Sequence, residues 1–262
     1  MTHKNVGQGD HTQQKQDDFQ SLLSLHIKIV DNITSRPGNA WQRYYSYIDM
    51  NAGPGLYDGI VGSPILFLSQ IESTSIPYMA IFIEEERCNA DELNSRVAPL
   101  DLRGAVKVVN DNHDHALRNG AAPTKSTHGM IYHDPNGTVP NFDLLSELSR
   151  KPAFQRIDFV VYLSATNIKR VRRFEQATGR DAKVKLLTDY LKSVNKSTWI
   201  IRKPIGKHQW TFAIGSNWVN FPAWEKRGFY KIDSPEGKSV LERLTYTDSE
   251  LDDMSGQMSF FN

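Results

Sequence analysis

The chain has little of what several classes of protein require. It contains one cysteine, Cys88, among 262 residues, which excludes an internal disulfide and a cysteine-rich zinc site within the chain. It has no apolar run of about 18 residues and no basic-then-apolar leader, so we expect neither a membrane span nor a secretion signal. Together these absences predict a cytoplasmic protein.

The net charge is small, but its distribution is uneven. The sequence has 31 Lys and Arg against 30 Asp and Glu. Between Arg150 and Tyr230 there are 17 Lys and Arg against 5 Asp and Glu, which is +12 and leaves 14 against 25, or −11, elsewhere. This asymmetry predicts a half that binds a polyanion such as nucleic acid. The alternative is a solvated helical surface on which basic residues cluster.

The composition fits one α/β domain with appendages. A chain of this length with 39% apolar and 23% charged residues can bury a full core. Residues 1–17 are polar and Gln-rich without periodicity, so we expect them to be disordered. Apolar residues recur at helical spacing from Asp18 to Ile33, which predicts a leading helix. The predicted domain spans residues 18–245, and an acidic tail occupies residues 246–262.

The most informative stretch runs from Tyr44 to Leu68, YYSYIDMNAGPGLYDGIVGSPILFL. An aromatic and β-branched run ends on Asp49 and is followed by a glycine-rich loop, which predicts a strand and a turn. Ser63 and Pro64 fit the N-cap and first position of a helix that continues to about Glu72. Glycines at the carboxyl end of a parallel strand let the backbone approach a nucleotide-like ligand, because they accept positive φ and carry no side chain. We therefore expect the ligand at the carboxyl edge of the sheet.

The string DMNAGPG, residues 49–55, resembles the first motif of class I S-adenosylmethionine-dependent methyltransferases, D-x-F-A-G-x-G. The longer YIDMNAGPGLYDGIVGSP is closer still to the YIDLFAGPG and GSP segments of the three-Cys-motif partner proteins, a methyltransferase-like family of bacteria, phages and mobile elements. Asn51 departs from their usual Phe. The resemblance implies that S-adenosylmethionine is the cofactor and that Asp49, Asn51, Gly53 and Gly55 bind it.

The end of the second predicted strand supplies an acid. The run YMAIFIE, from Tyr78 to Glu84, is continuous and apolar as a buried parallel strand should be. In the methyltransferase family, an acid at this point accepts hydrogen bonds from the ribose hydroxyls of the cofactor. Glu84 takes that position by resemblance, with Glu85 and Glu86 as neighbouring alternatives.

A third predicted strand, Ala105–Asn110, is followed by polar residues. In the same family a polar residue after this strand meets the adenine of the cofactor, which makes Asp111 or Asn112 the candidate. The adjacent His113–His115 segment has metal-ligating side chains, but neighbouring residues on a loop rarely converge and no further ligand follows at the usual spacing. We therefore predict no metal site.

A second informative string, GMIYHDPNGTV, runs from Gly129 to Val139. Its apolar start predicts a short strand that brings Asp134, Pro135 and Asn136 to the same sheet edge. The string resembles the fourth motif of amino-methyltransferases, (D/N/S)-P-P-(Y/F), in which a polar side chain and the following carbonyl hold the hydrogens of an exocyclic amino group. The resemblance implies that these three residues are catalytic and that adenine in DNA is the acceptor.

The match to that motif is partial. Asn136 and Gly137 differ from it, and the missing aromatic removes the ring on which a flipped adenine stacks, unless Tyr132 or His133 replaces it. A type I turn with proline at its second position explains DPNG without chemistry and stays open. The DPFG of the three-Cys-motif partners is closer to DPNG, which keeps open a non-catalytic or two-component partner protein.

The basic half is expected to complete the sheet and to contact DNA. Strands are predicted over residues 157–163, 198–203 and 209–214, the last two as an antiparallel pair, and a second basic helix over 181–194. If the acceptor is instead a small molecule or a protein, the positive charge has no role in substrate binding. The basic helix over residues 164–177 carries four cations that we expect to meet phosphates. They are Lys169, Arg170, Arg172 and Arg173.

The string QMSFF lies near the end of the chain, after an acidic lead-in. It is similar to the bacterial sliding-clamp binding peptide, Q-L-S-L-F or Q-x-x-h-F, in which the glutamine is hydrogen-bonded beside an apolar pocket. The resemblance implies docking on a replication clamp through Gln257, Met258, Phe260 and Phe261. A hydrophobic terminus that packs on the domain is the alternative.

These features predict an α/β fold of the Rossmann-like class I methyltransferase type, with a mostly parallel central sheet and an antiparallel last strand. The expected function is methyl transfer from S-adenosylmethionine to nucleic acid, with the amino group of adenine in DNA as the acceptor. Most of the chain after Gly137 is needed to complete the sheet and its helices. We therefore expect little sequence specificity, because no large target-recognition domain fits.

Overall fold

The computed structural model describes most of the chain and divides it into two compact units. Residues 1–136 and 151–159 belong to the first unit, and residues 137–150 and 160–262 belong to the second. The predicted domain limits, 18–245, stay a prediction. The described residues are 12–38, 44–123, 127–135, 137–178, 187–205, 209–218 and 224–259.

Strands and helices alternate along much of the chain, as the sequence predicts for an α/β protein. No helix in the described part of the chain is both long and apolar enough to cross a membrane. The strands are β1 (Tyr45–Asp49), β2 (Leu56–Tyr57), β3 (Ile60–Val61), β4 (Tyr78–Glu84), β5 (Ala105–Asn110), β6 (His128–His133), β7 (Ile157–Ser164), β8 (Thr198–Arg202), β9 (Trp210–Ser216) and β10 (Phe229–Lys231). The helices are α1 (Thr12–Thr34), α2 (Ser63–Glu72), α3 (Arg87–Val97), α4 (His113–Arg118), α5 (Phe142–Ser149), α6 (Ala165–Thr178), α7 (Leu187–Ser193), α8 (Pro235–Thr245) and α9 (Asp248–Ser259).

Eight of these strands form one sheet in the order β10-β8-β9-β7-β6-β1-β4-β5. β1 lies parallel to both β6 and β4, and β4 lies parallel to β5. β8 pairs antiparallel with β9, as predicted, and also with β10, which the sequence did not predict. The predicted fold class is confirmed: the sheet is mostly parallel, with antiparallel strands at one end.

The close approach of β1 and β6 requires a glycine. Ser46 pairs with Gly129, and a Cβ on Gly129 would lie 1.9 Å from the Ser46 carbonyl oxygen. Every residue of both strands is buried, as expected for parallel strands that are covered on both faces. Because β1, β4 and β6 run parallel, their last residues, Asp49, Glu84 and His133, lie at one edge of the sheet.

A buried polar group holds α1 at the opposite edge, where β1 and β7 begin. His26 Nδ1 lies 2.7 Å from the Tyr45 hydroxyl, and His26 Nε2 lies 3.0 Å from Asp158 Oδ2. All three side chains are buried, and buried polar groups persist where they are hydrogen-bonded. Since His26 is in the middle of α1, these bonds also determine where the first turns of the helix lie.

Two predicted segments differ from the structure. α1 begins at Thr12, so the predicted disorder is wrong for residues 12–17, while residues 1–11 lie outside the described part. The first turns of α1 have no apolar stripe that would predict a helix from the sequence. They are held in place instead by the contact of Lys15 with Asp134. The second basic helix, predicted over 181–194, is seen as α7, and residues 179–186 lie outside the described part.

The N-cap of α2 is Gly62 rather than the predicted Ser63. Gly62 has the extended backbone of a cap, with φ −78° and ψ 164°, but its lack of a side chain leaves the helix without a side-chain cap. Ser63 is the first helical residue, and its hydroxyl bonds to Asp49 instead. The Ser63 hydroxyl, which the N-cap preference assigns to the backbone N–H groups at the start of α2, is therefore bonded to the buried carboxyl of Asp49.

The acidic tail forms α9. The Thr247 N–H donates to Glu250 Oε2 at 2.7 Å, and the Glu250 N–H donates to the Thr247 hydroxyl at 3.3 Å. This is a capping box, and the string TDSE was its sequence signal. Of the predicted docking string, Gln257 and Met258 lie within the helix, whereas Phe260 and Phe261 lie outside the described residues.

Candidate active site

The loop after β1 forms the first part of the site. Gly53 and Gly55 have φ of +63° and +80°, a region that favours glycine. The Gly53 N–H donates to Glu84 Oε2 at 2.8 Å, and the Ala52 N–H donates to the Ile83 carbonyl at 2.9 Å. The glycine turn is thereby fixed to the carboxyl end of β4.

Within this loop β2 and β3 form a small hairpin, where the sequence predicts only a loop. Tyr57 pairs with Ile60 across a two-residue turn. The turn residues, Asp58 and Gly59, have φ of +46° and +80°, as in a type I′ turn. The Asp-Gly dipeptide between apolar residues was the local signal for this hairpin.

Glu84 is the acid that faces the glycine turn. It is 9% exposed, whereas Glu85 and Glu86 are exposed. Besides Gly53, its carboxylate accepts hydrogen bonds from the Glu86 N–H at 2.9 Å and from Asn89 Nδ2 at 3.5 Å. A carboxylate has about four acceptor positions, so three donors leave capacity for a ligand hydroxyl. Among the three acids considered from the sequence, the geometry favours Glu84.

Asp49 shapes the loop from inside. It has no exposed surface, and its carboxylate accepts hydrogen bonds from the Tyr47 hydroxyl at 3.1 Å and the Asn51 N–H at 3.2 Å. Ser63 at the start of α2 adds a further hydrogen bond. Burial raises the pKa of Asp49 to about 7, although these hydrogen bonds act in the opposite direction. Asp49 therefore positions the glycine turn rather than facing an open site.

Asn51, which departs from the family pattern, is matched by a buried histidine. The His133 Nδ1–H donates to Asn51 Oδ1 at 2.7 Å. His133 is 1% exposed, and burial lowers its pKa to about 3, with a smaller contribution from His113. The imidazole is therefore neutral at neutral pH. The amide oxygen of Asn51 thus satisfies this buried ring nitrogen.

Asp134 lies directly after β6 and pairs with a lysine that the sequence did not reveal. Lys15 Nζ lies 2.7 Å from Asp134 Oδ2, and the two side chains are 11% and 13% exposed. The Tyr132 hydroxyl donates to the same oxygen at 3.2 Å. Lys15 belongs to the first turns of α1, so this helix contributes to the site. No local signal identifies the pair, because 119 residues separate its members.

The two rings considered as replacements for the motif aromatic are buried. Tyr132 and His133 are each 1% exposed. Phe19 of α1 stacks on Tyr132 with the ring centroids 4.1 Å apart. Neither ring offers a face to a base, so neither supplies the stacking surface that the motif aromatic would provide.

The rest of the DPNG string is described in part. Pro135 is buried, and Asn136 lies outside the described residues. Gly137 has φ +68°, and its carbonyl accepts a hydrogen bond from Arg170 of α6. Gly137 is thus bonded to a cation that the sequence predicts to bind phosphate.

The two candidates for an adenine contact after β5 bond within the first turn of α4. Asn112 is the N-cap, and its side chain accepts from the Asp114 N–H at 2.9 Å. Asp111 Oδ2 lies 2.5 Å from His115 Nδ1, and this bond lowers the pKa of Asp111. The Asp111 side chain is still 32% exposed. Asp111 Oδ1 also accepts from the Asn112 N–H at 2.8 Å, and the adenine contact stays a prediction for either residue.

Arg172 is also engaged within its own unit. Its Nη1 lies 2.7 Å from Glu250 Oε1, and its guanidinium lies 4.6 Å from the centroid of the Tyr246 ring. These contacts tie α6 to α9. Arg170 and Arg172 thus have partners within the protein, and phosphate binding by the four basic residues of α6 stays a prediction.

The residues at the sheet edge fit the cofactor that the sequence implies. A Cβ on Gly53 would have no atom within 4 Å, whereas a Cβ on Gly55 would lie 2.8 Å from Leu93 Cδ1. Gly55 is required by its backbone and by packing, while the space beside Gly53 is open to a ligand. Glu84, bonded to the same turn, has the acceptor chemistry for ribose hydroxyls. An open glycine and a fixed carboxylate are what an adenosyl ligand needs here.

Comparison with known proteins supports the fold. No family model matches the chain, and no curated protein matches its sequence. The structure is similar to the DszA carbon methyltransferase, with 10% identity, a TM-score of 0.51 and coverage of 78% of this chain and 55% of that one. It is also similar to the CurJ carbon methyltransferase (12%, 0.45, 74% and 53%) and to a protein from Legionella pneumophila str. Philadelphia 1 (14%, 0.47, 87% and 91%). The first of these shows the Rossmann-like methyltransferase fold, and at this identity it shows the fold alone.

Proposed function

We propose that the protein is an S-adenosylmethionine-dependent methyltransferase that acts on nucleic acid, with the exocyclic amino group of adenine in DNA as the acceptor. One observation carries the proposal: the open turn at Gly53, the carboxylate of Glu84 and the side chain of Asp134 follow three neighbouring strands at one sheet edge. Methyl transfer needs a cofactor site and an acceptor site side by side, because proximity supplies much of its rate.

The glycine turn is the cofactor side of the site. S-adenosylmethionine, when bound, supplies a methyl group already activated for transfer. Gly53 leaves room for the ligand beside the backbone, and Glu84 would accept hydrogen bonds from its ribose hydroxyls. The hydrogen bonds that Asp49 receives from Asn51 and Ser63 hold the turn in this shape before the ligand arrives.

Asp134 is the acceptor side of the site. Lys15 and Tyr132 both bond to Oδ2, and among the described residues no hydrogen bond to Oδ1 is found. Oδ1 can therefore accept a hydrogen from the substrate amino group and turn the lone pair of the amino nitrogen towards the methyl donor. As the nitrogen gains positive charge, the carboxylate stabilises it until a proton leaves.

The Lys15–Asp134 pair also favours a second candidate function. A carboxylate that is already paired with an ammonium attracts a developing positive charge less strongly than a free one. A partner protein that retains the cofactor fold but transfers no methyl group, alone or until a second component binds, would tolerate such a pair. This candidate agrees with the resemblance to the three-Cys-motif partners.

Two measurements on the full chain test the proposal. Calorimetry should show S-adenosylmethionine binding that Gly53→Trp abolishes by filling the open space, while Gly59→Trp, at an equally open glycine on the hairpin tip, keeps it. Incubation with labelled cofactor and DNA, followed by digestion to nucleosides, should place the label on adenine. Cofactor binding without transfer to DNA would support the partner protein, and label in small molecules or protein would change the acceptor. No binding at millimolar cofactor would contradict both candidates.

A further inference from the structure

The helix α6 leaves most of its surface in solvent. Its only buried residues are Ala165 and Ile168. Five of its exposed positions, from the first turn to the last, recur at steps of three and four, so they share one face. We call this the exposed face of α6, and it consists of Thr166, Arg170, Arg173, Phe174 and Ala177.

Phe174 is the most prominent residue of that face. At 60% exposure it is the most exposed large apolar side chain among the residues that the structure describes, ahead of Leu100 at 45%. Single exposed apolar residues are common and need no function by themselves. The significance of Phe174 therefore depends on the charges that surround it.

Two cations of α6 lack a compensating acid. Lys169 and Arg173 have no ion-pair partner in the described part of the chain, and both line a cavity of about 250 Å³. The third cation at this cavity, Arg172, is already neutralised by Glu250. Of the two remaining positive charges, Arg173 belongs to the same exposed face as Phe174, and it favours an anion such as phosphate.

The exposed face holds a further cation. Arg170 donates to the carbonyl of Gly137, which belongs to the same unit. The same face therefore combines an aromatic ring with positive charge.

A ring that shares a helix face with cations matches a nucleotide with an unpaired base. In a duplex the faces of each base are covered by its neighbours, so an aromatic side chain on a helix can stack only on a base that has left the duplex. We infer that the exposed face of α6 binds single-stranded nucleic acid, with a base stacked on Phe174 and a phosphate bound by Arg173. This inference rests on the proposed nucleic-acid acceptor and narrows it to an unpaired form.

Binding of the full chain to a labelled single strand and to its duplex, measured by fluorescence anisotropy, tests the inference. Wild type should bind the single strand more tightly. Phe174→Ala should lose about 5- to 150-fold in affinity for the single strand, the range for one stacked base, whereas Phe174→Trp should retain it. Leu100→Ala, at the next most exposed large apolar residue and far from α6 in the chain, is the matched control and should bind as wild type does.

The salt dependence separates stacking from charge. Arg173→Gln should flatten the slope of log affinity against log salt by about 0.7, the value for one phosphate contact on a single strand. Phe174→Ala should lower affinity without changing that slope. Single-strand binding by Phe174→Ala equal to that of wild type, tighter binding of the duplex, or no binding of either form at about 50 mM salt would overturn the inference.

The outcomes also distinguish this inference from the proposed function. If wild type transfers label to adenine but Phe174→Ala binds single strands normally, the stacking role fails and the methyltransferase stands. If the chain binds no S-adenosylmethionine but Phe174→Ala weakens its binding to single strands, the methyltransferase fails and the interface stands.

Discussion

At the scale of single residues, the candidate site buries two titratable side chains whose pKa values move in opposite directions. Burial raises the pKa of Asp49 to about 7 and lowers that of His133 to about 3. Both shifts favour the neutral form, because charge is costly away from water. At a pH between about 3 and about 7, the loop that carries Gly53 is therefore supported by the uncharged carboxyl of Asp49 and the uncharged imidazole of His133.

The first prediction follows from the signs of these shifts. The raised pKa of Asp49 contributes stability below its unfolded value of 3.8 that is lost as pH rises through about 7. The lowered pKa of His133 contributes stability above 6.5 that is lost as pH falls through about 3. From about pH 4 to 6.5, Asp49 makes the free energy of unfolding fall as pH rises, whereas His133 makes it rise. Asp49→Asn removes the first effect, so the free energy of unfolding should rise more steeply with pH, by up to about 1.4 kcal/mol per pH unit.

Urea unfolding of wild type and Asp49→Asn at several pH values within this window measures the two slopes. His133→Gln should change the slope in the opposite direction and serves as the control. Equal slopes for wild type and Asp49→Asn would mean that Asp49 is ionised in the folded protein at these pH values.

The second prediction concerns Lys15. Lys15→Met leaves the largely buried carboxylate of Asp134 without its cation, which should cost about 1–3 kcal/mol of stability. Lys28→Met, at an exposed position of the same helix, should change stability by less than about 0.5 kcal/mol. Urea unfolding compares the two variants, and similar losses would show that the Lys15–Asp134 bond contributes nothing specific.

Methyl-transfer rates of the same variants test the role of Lys15 in the site. If Lys15 only orients Asp134, Lys15→Met should reduce methyl transfer and leave cofactor affinity unchanged, because the loss is confined to the transition state. Faster transfer by Lys15→Met would instead identify the lysine as a residue that restrains Asp134.

At the scale of elements, two glycines of the loop after β1 have the same backbone conformation but different surroundings. Gly55 and Gly59 both have φ +80°, but a Cβ on Gly55 would meet Leu93 of α3, whereas a Cβ on Gly59 meets open space. Leu93 is fully buried, so it has little freedom to move aside. Gly55 therefore joins the loop to α3, and Gly59 only closes the hairpin.

The third prediction uses this pair. Gly59→Ala should cost about 1 kcal/mol, the strain of an L-residue at positive φ. Gly55→Ala should cost about 1–3 kcal/mol more, because overpacking against Leu93 is added to the same strain. Thermal or urea unfolding of both variants measures the difference, and equal costs would place no packing demand on Gly55.

At the scale of the whole molecule, the candidate site residues and most of the excess positive charge belong to different units of the chain. The first unit holds the glycine turn, Glu84 and Asp134. The second unit holds α6 and most of the residues between Arg150 and Tyr230, where 17 Lys and Arg face 5 Asp and Glu. The proposed methyl transfer and the proposed nucleic-acid binding are therefore carried by different units of one chain, as expected when a cofactor site is combined with an electrostatic surface.

The fourth prediction concerns docking on a replication clamp. Because α9 continues to Ser259, an extended docking peptide requires its last turn to unwind, so we expect an affinity no tighter than about micromolar. Phe260→Ala with Phe261→Ala should remove binding of the full chain to a bacterial clamp in surface plasmon resonance and leave transfer to DNA intact. Met254→Ala, at an exposed position of α9 outside the string, should bind normally. A lower melting temperature in the double variant would assign the phenylalanines to packing instead.

The sequence by itself determined the elements and the edge of the sheet where the site lies. β4 and β5 have the predicted bounds, Tyr78–Glu84 and Ala105–Asn110, because a short run rich in apolar and β-branched residues that ends on a polar residue is a local signal. The glycine turn was equally local, since φ preference belongs to the residue itself. These features depend on neighbours in the chain, and the sequence shows neighbours directly.

Only the tertiary structure decided which polar groups bond to one another. The Lys15–Asp134 and Asn51–His133 bonds join residues 119 and 82 positions apart, and Ser63 bonds to Asp49 instead of capping its helix. Such pairs depend on which strands and helices become neighbours when the sheet forms, and local periodicity does not specify this order. Once the elements pack, each buried polar group must find a partner, and the site takes its final form from those bonds.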